Sequence, residues 1–491
     1  MQFRRAFRPA LVALLLALLA FAVWIPGSLS IWSAAGPADA AWLHRARVLS
    51  PSLLRYYRFP NKDSLQHAAS LSGWTGALLP PPGVQDAVLV RGAVTGEYAV
   101  RLDENPLEAS PVQLPAGGTV ELRFRHLGPG KQPGPNVAES ATLAACGDGV
   151  WSGFRLCLHY PCNLLTFELG RPKPQPTVMV TSALRIPVEA WVHVVAAWDR
   201  QTVKLYVNGL LAGQTAYDGL WSQVRDSSRL RLGFVGNGYG STRFDTEEFL
   251  IWNRALTAAE VLSGSLRLHG DSYPQQQQLI AAAEHSRAGD FDQSNGSLEV
   301  LLRGQVPDRL RQAAVFLLGE NQRRSGKTEQ ADELYRSLCE TADGTAFSRL
   351  ALHQRVCLQQ QVTGLDGDMR LCAQNLPYDQ AMTEYRRQVD DRDTRRWRQI
   401  WETDIRPLVK THCAACHHSG QQALPDLASL TDGWSAVDAR STFWARVAQQ
   451  VQSGRMPPHD CTPLSVNEKM TVLHWIDDLP LRGLCEQIAS D

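Results

Sequence analysis

Cys413-Ala-Ala-Cys416-His417 constrains this chain more tightly than any other stretch of it. The spacing Cys-x-x-Cys-His is the c-type haem attachment pattern. Two thiols separated by two residues match the two vinyl groups of one haem. The histidine that follows falls under the iron and supplies an axial imidazole nitrogen. A disulfide redox pair needs no histidine at that place. A zinc ribbon needs a second Cys-x-x-Cys, which the sequence does not contain.

The flanks agree with a small helical domain. Trp397, Ile400, Trp401, Ile405 and Leu408 recur at helical spacing before the motif. A polar loop runs through Leu424 and Pro425 after it, then Arg455-Met456-Pro457-Pro458. A last helix carries Met470, Leu473, Trp475 and Ile476 and stops at Pro480. This order of helix, haem motif, loop, methionine and closing helix resembles a class I cytochrome c, and most closely the cytochrome domains of large secreted planctomycete proteins. The resemblance covers roughly the last 90 residues. It implies one covalent haem c held by Cys413 and Cys416, with His417 and Met456 as the two iron ligands. His418 and His459 are rivals for the second ligand, but His418 adjoins the proximal histidine and would strain to reach the opposite face.

A length of 491 residues suggests about three domains. Lys plus Arg and Asp plus Glu each total 49, so the net charge is zero, which argues against nucleic acid as a partner. Arg4, Arg5 and Arg8 precede an apolar run from Ala10 to Ile25, so residues 1–32 read as a signal peptide or membrane anchor. The small-x-small sequence Ala38-Asp39-Ala40 lies far from that run, which favours an anchor with its arginines on the cytoplasmic side. A covalent haem is attached outside the cytoplasm, which places the chain in the periplasm or cell envelope, held by the inner membrane. In that oxidising compartment the eight cysteines outside the haem motif are disulfide candidates. Favoured pairs are Cys461 with Cys485, Cys357 with Cys372, and Cys157 with Cys162 across a Pro-containing turn, leaving Cys146 and Cys339. A metal site from Cys146, Cys157, Cys162 and His159 is the alternative.

Between Asp86 and Val261 the pattern turns to strands. Val88–Val90, Val120–Phe124 and Leu230–Phe234 form apolar runs or alternate. Trp191-Val192-His193-Val194-Val195-Ala196-Ala197-Trp198-Asp199 and Val203-Lys204-Leu205-Tyr206-Val207-Asn208-Gly209 read as two strands, the second ending in an Asn-Gly turn. With Phe244-Asp245 through Trp252-Asn253-Arg254-Ala255-Leu256, these phrases resemble the laminin-G-like, concanavalin A-like jelly roll. That resemblance implies a glycan or protein ligand, with Ca2+ a further possibility. Asp148, Asp199, Asp245 and Glu247 are candidates for such an ion, although acidic turn residues are common. Trp191, Trp198, Tyr206 and Trp252 read as core packing rather than sugar platforms.

Pro274 and the Gln275–Gln278 run read as a linker that closes an independent jelly roll. Beyond it, Leu310, Ala313, Ala314, Phe316–Gly319, Gly326, Ala331, Leu334, Tyr335 and Leu338 resemble a tetratricopeptide-like helix pair, in which small residues let helices approach and a glycine turns the chain.

The expected architecture is therefore multidomain α+β. An N-terminal β-sandwich jelly roll spans 45–268, a central tetratricopeptide-like helical segment 279–394, and an all-α cytochrome c domain 395–491. The expected function is extracytoplasmic electron transfer to a redox partner protein, with the jelly roll docking to glycan or protein. The alternative is an envelope adhesin or scaffold with haem as redox sensor. No carboxylate pair marks a glycosidase, and Met456 argues against the open iron site of a peroxidase, so an electron carrier is favoured over an enzyme.

Overall fold

The computed structural model describes residues between 52 and 478 with breaks, the widest at 59–87, 363–376 and 414–443. The N-terminal segment 1–32 lies outside the described residues. Among the described ones, no helix is long and apolar enough to cross a membrane.

The first half is a β-sandwich of two antiparallel sheets. One runs, in order, β12 (Leu210–Ala216), β11 (Thr202–Val207), β10 (Trp191–Trp198), β5 (Gly118–Pro129), β14 (Thr242–Trp252), β3 (Tyr98–Leu102) and β2 (Val88–Arg91), and β1 (Leu53–Arg58) also pairs with β14. The other runs β4 (Leu107–Ala109), β13 (Leu230–Leu232), β6 (Ser140–Gly147), β7 (Gly153–His159), β8 (Leu164–Leu169) and β9 (Val178–Arg185). Strand alternation supplies the core between them. Leu122, Phe124, Val194, Ala196 and Trp198 from one sheet meet Phe154, Leu156 and Phe167 from the other. The fully buried Trp198 ring packs on Phe167 at 5.6 Å. A Cβ on Gly118 would lie 2.5 Å from that indole, so only glycine fits beneath it.

Asn208 and Gly209 take φ of 49° and 86°, the left-handed pair that a two-residue hairpin between β11 and β12 requires. The predicted Asn-Gly turn is therefore present. The outer face of the larger sheet is also buried. Val195, Ala197, Tyr206, Leu250 and Trp252 pack there against Leu53, Tyr56, Leu256 and Val261.

Helix α1 (Ala258–Leu266) follows β14, and its Leu262 joins the sandwich core. Five helices come next: α2 (Tyr273–Ala288), α3 (Phe291–Arg303), α4 (Asp308–Arg324), α5 (Thr328–Thr341) and α6 (Ala346–Gln359). Each packs on the next, while α4 also touches both α2 and α6, as in a stacked helical array. A Cβ on Gly319 would stand 2.6 Å from the buried Tyr335 ring, so α4 and α5 approach through that glycine. Gly326, at φ 81°, turns the chain between them.

The expected linker at Pro274 and Gln275–Gln278 is instead the first turns of α2. Proline is tolerated at a helix start and glutamine is a good helix former. Gln276 is buried and accepts a hydrogen bond from Ser263 Oγ at 2.7 Å; Gln278 Nε2 donates to Ser297 O at 3.0 Å. Helix α2 also packs on β12. One apolar core runs without interruption from the sandwich through Leu279, Leu298, Leu310 and Phe316 to Ala351. The sandwich thus shares its core with the helices, where the sequence had suggested an independent domain closed by a linker.

The chain divides into two compact units, residues 1–382 and 383–491. The second holds most of α7 (Pro377–Ile400), a π-turn at Trp401–Ile405, α8 (Arg406–His412) and α9 (Val466–Asp478).

Candidate functional site

The haem motif begins where α8 ends. Arg406 N–H reaches back to Trp401 O, five residues before, which makes the π-turn. Pro407 accounts for the irregularity, because it has no N–H to give to the carbonyl four residues earlier. From there Ile405 and Val409 continue the buried stripe begun by Trp401. Trp401 lies 5.3 Å from Trp475 and 5.6 Å from Trp444, and those two meet edge to face at 5.0 Å. Trp475 Nε1 donates to Trp397 O at 3.3 Å, tying α9 to α7.

Cys413 is half-buried and packs against this tryptophan cluster. Its N–H bonds Val409 O at 3.0 Å and closes α8. Cys416 and His417 lie outside the described residues, as do His418 and His459. Met456 is half-buried, and its N–H bonds Gln450 O at 3.2 Å. Gly454 at φ 71° makes the turn that presents it. The residues present fit a flat apolar cofactor with polar edges. A thiol stands beside an apolar wall, and Trp401 Nε1 is buried in that wall without a hydrogen-bond partner.

One residue that sequence reading passed over joins these segments. His412, the last residue of α8, is buried, and its Nδ1 donates to Thr462 O at 3.0 Å. The carbonyl only accepts, so Nδ1 carries the proton. Its Nε2 faces Glu468 Oε1 at 3.7 Å. Glu468 caps α9 reciprocally with Ser465, accepting from Ser465 N at 2.8 Å while its own N–H bonds Ser465 Oγ at 3.2 Å. Those bonds, and then His412, hold the Glu468 carboxyl below its usual range. The available signal was position, since 405, 409 and 412 share one helix face.

The expected groupings in the sandwich do not assemble. Cys157 is a free thiol facing outward on β7 opposite Thr142 and Thr166, so the pair with Cys162 is not formed. Burial pushes the Cys157 thiol up to about 12. Cys162 is disulfide-bonded, and no other described cysteine is its partner, so that partner lies outside the described residues. Cys357 is also free, which removes the pair with Cys372. Cys372, Cys461 and Cys485 lie outside the described residues. Burial raises Cys146 to about 11 and lowers His159 to about 4. Among the described residues, no group of three or more histidines, cysteines or carboxylates comes together to hold a metal.

The four carboxylates suggested for Ca2+ are spent separately. Asp199 Oδ1 accepts from Gln201 N and Thr202 N at 2.7 and 2.8 Å, an Asx turn between β10 and β11. Asp245 is fully buried between Arg101 (2.8 Å) and Arg125 (2.6 Å). Glu247 is buried, and Asp148 lies outside the described residues. Trp198, Tyr206 and Trp252 are buried as the sequence suggested, whereas Trp191 is only half-buried. Trp252 Nε1 donates to Glu121 Oε2 at 3.2 Å, and Glu121 Oε1 holds His193 Nε2 at 2.8 Å. Trp191 is covered by the Arg125 guanidinium at 5.1 Å.

Residues 133–262 match the family model of the concanavalin A-like lectin/glucanases superfamily. This part of the chain is a concanavalin A-like jelly roll. Among solved structures, the binding domain of Paraclostridial Mosquitocidal Protein 1 is 14% identical, with a TM-score of 0.35, over 44% of this chain and 52% of that one. The receptor binding domain of botulinum neurotoxin D is also 14% identical, with a TM-score of 0.32, over 44% of this chain and 52% of its own. The match thus spans about half the length of each. No curated protein matches this chain.

Proposed function

We propose that this chain is an extracytoplasmic monohaem c-type cytochrome that transfers electrons, with its jelly roll docking it to a protein or glycan. The observation that carries the reading is Cys413-x-x-Cys416-His417 starting at the end of α8, with Cys413 seated against the Trp401, Trp444 and Trp475 cluster. Cys413, Cys416, His417 and Met456 would hold the haem. When bound, haem supplies a reversible one-electron couple whose potential the protein tunes through ligands and burial. The tryptophan cluster would shield the Cys413 side of such a site from water. On this reading residues 395–491 are a cytochrome c domain and 279–394 a tetratricopeptide-like spacer, with the N-terminal segment anchoring the chain in the inner membrane. Redox titration of protein matured in the periplasm is expected to show one reversible one-electron wave. Its absence from the wild type contradicts the proposal.

The jelly roll match favours one other reading, an envelope adhesin or scaffold whose haem senses redox state. Rapid electron exchange with a soluble periplasmic redox protein supports the carrier. Tight glycan binding by the jelly roll without such exchange supports the adhesin.

A further inference from the structure

We propose that His412 is a positioning residue that ties the backbone downstream of Met456, at Thr462, to the helix that leads into Cys413. The inference rests on the reading of Cys413, Cys416, His417 and Met456 as haem-binding residues.

The loop after Met456 is pinned at two places. At its start, Arg455 N–H and Met456 N–H both bond Gln450 O, at 3.0 and 3.2 Å. Six residues on, Thr462 O accepts from His412 Nδ1 at 3.0 Å. His412 belongs to α8 and directly precedes Cys413. The hydrogen bond therefore joins the backbone that carries the first haem thiol to the backbone that carries the candidate second iron ligand. Pro457 and Pro458 restrict the backbone at the start of the span, and Pro463 restricts it just beyond Thr462. His412 is buried while Thr462 is exposed, so the bond reaches from inside the domain to a backbone carbonyl at its surface. The Glu468 carboxylate, fixed by its reciprocal cap with Ser465, stands 3.7 Å from Nε2 on the far side of the imidazole.

Nδ1, not Nε2, makes the short bond, and that distinction supplies the test. An asparagine side chain places an N–H near the position of Nδ1; a glutamine places one near Nε2. Full-length wild type, His412→Asn and His412→Gln are matured in the periplasm. Each is examined by intact mass for covalent haem, and by far-red absorption of the ferric form for the iron–methionine charge-transfer band. The expected result is one haem on all three proteins, with the band kept in His412→Asn and lost in His412→Gln, and a lower midpoint potential in the latter. A band kept in both variants, lost in both, or lost only in His412→Asn overturns the role given to His412. A wild type without covalent haem overturns the cytochrome reading instead, so the two failures are told apart by mass before any spectrum is compared.

Discussion

Two residues make the sharpest predictions. Met456 stands half-buried in a Gly- and Pro-bounded turn, about 40 residues beyond the haem motif. A thioether raises a haem's potential relative to a second histidine. Met456→Ala should therefore lose the far-red band and lower the midpoint potential while leaving covalent haem intact; a variant that keeps the band assigns the ligand elsewhere. The second residue is His353, fully buried, with its Nε2 3.2 Å from Tyr378 Oη. Burial, reinforced by Arg185, lowers it to about 3 from its usual value near 6.5. In the unfolded chain it binds a proton below about 6.5; in the folded chain it stays neutral down to about 3. Stability is therefore full above 6.5 and falls as the pH drops through that window, by about 1.4 kcal/mol per pH unit for this group. Urea unfolding between pH 7 and 4 should show that loss, and His353→Gln should flatten it. Equal slopes in the two proteins would contradict the assignment.

At the scale of elements, local patterns were legible where a strand or turn carries its own signal. The β10–β11 pair and the turn after it were readable because alternation and an Asn-Gly pair are local chemistry. The close approach of α4 and α5 was readable from Gly319. Glycine to alanine in a helix is ordinarily worth about 0.5–1 kcal/mol of stabilisation, but overpacking a filled core costs about 1–3 kcal/mol. With Tyr335 2.6 Å from the new Cβ, the second effect should win, and Gly319→Ala should lower the urea midpoint. An unchanged or raised midpoint would show that the helices can part at little cost. What escaped reading depended on distant partners. The Gln275–Gln278 run has the composition of a linker, and only its packing on α3 and β12 makes it a helix in a core. Cys157 and Cys162 are near in sequence, but a strand aims the first thiol away from the turn that holds the second. His412 was hidden because its partner Thr462 lies 50 residues away.

At the scale of the molecule, the jelly roll and the helices behind it share one core, and the haem motif sits in a separate unit. A fragment of residues 45–270 leaves uncovered the face of β12 that α2 packs on, so it should unfold at lower temperature than residues 45–382, and aggregate more readily. Equal melting temperatures would show the sandwich to be independent after all. The central claim, one covalent haem on Cys413 and Cys416, is tested most directly by the intact mass of the full chain matured in the periplasm. One haem on the wild type and none on the Cys413→Ala, Cys416→Ala double variant is the predicted result. An unmodified wild type, or a haem still covalently bound to the double variant, would contradict it.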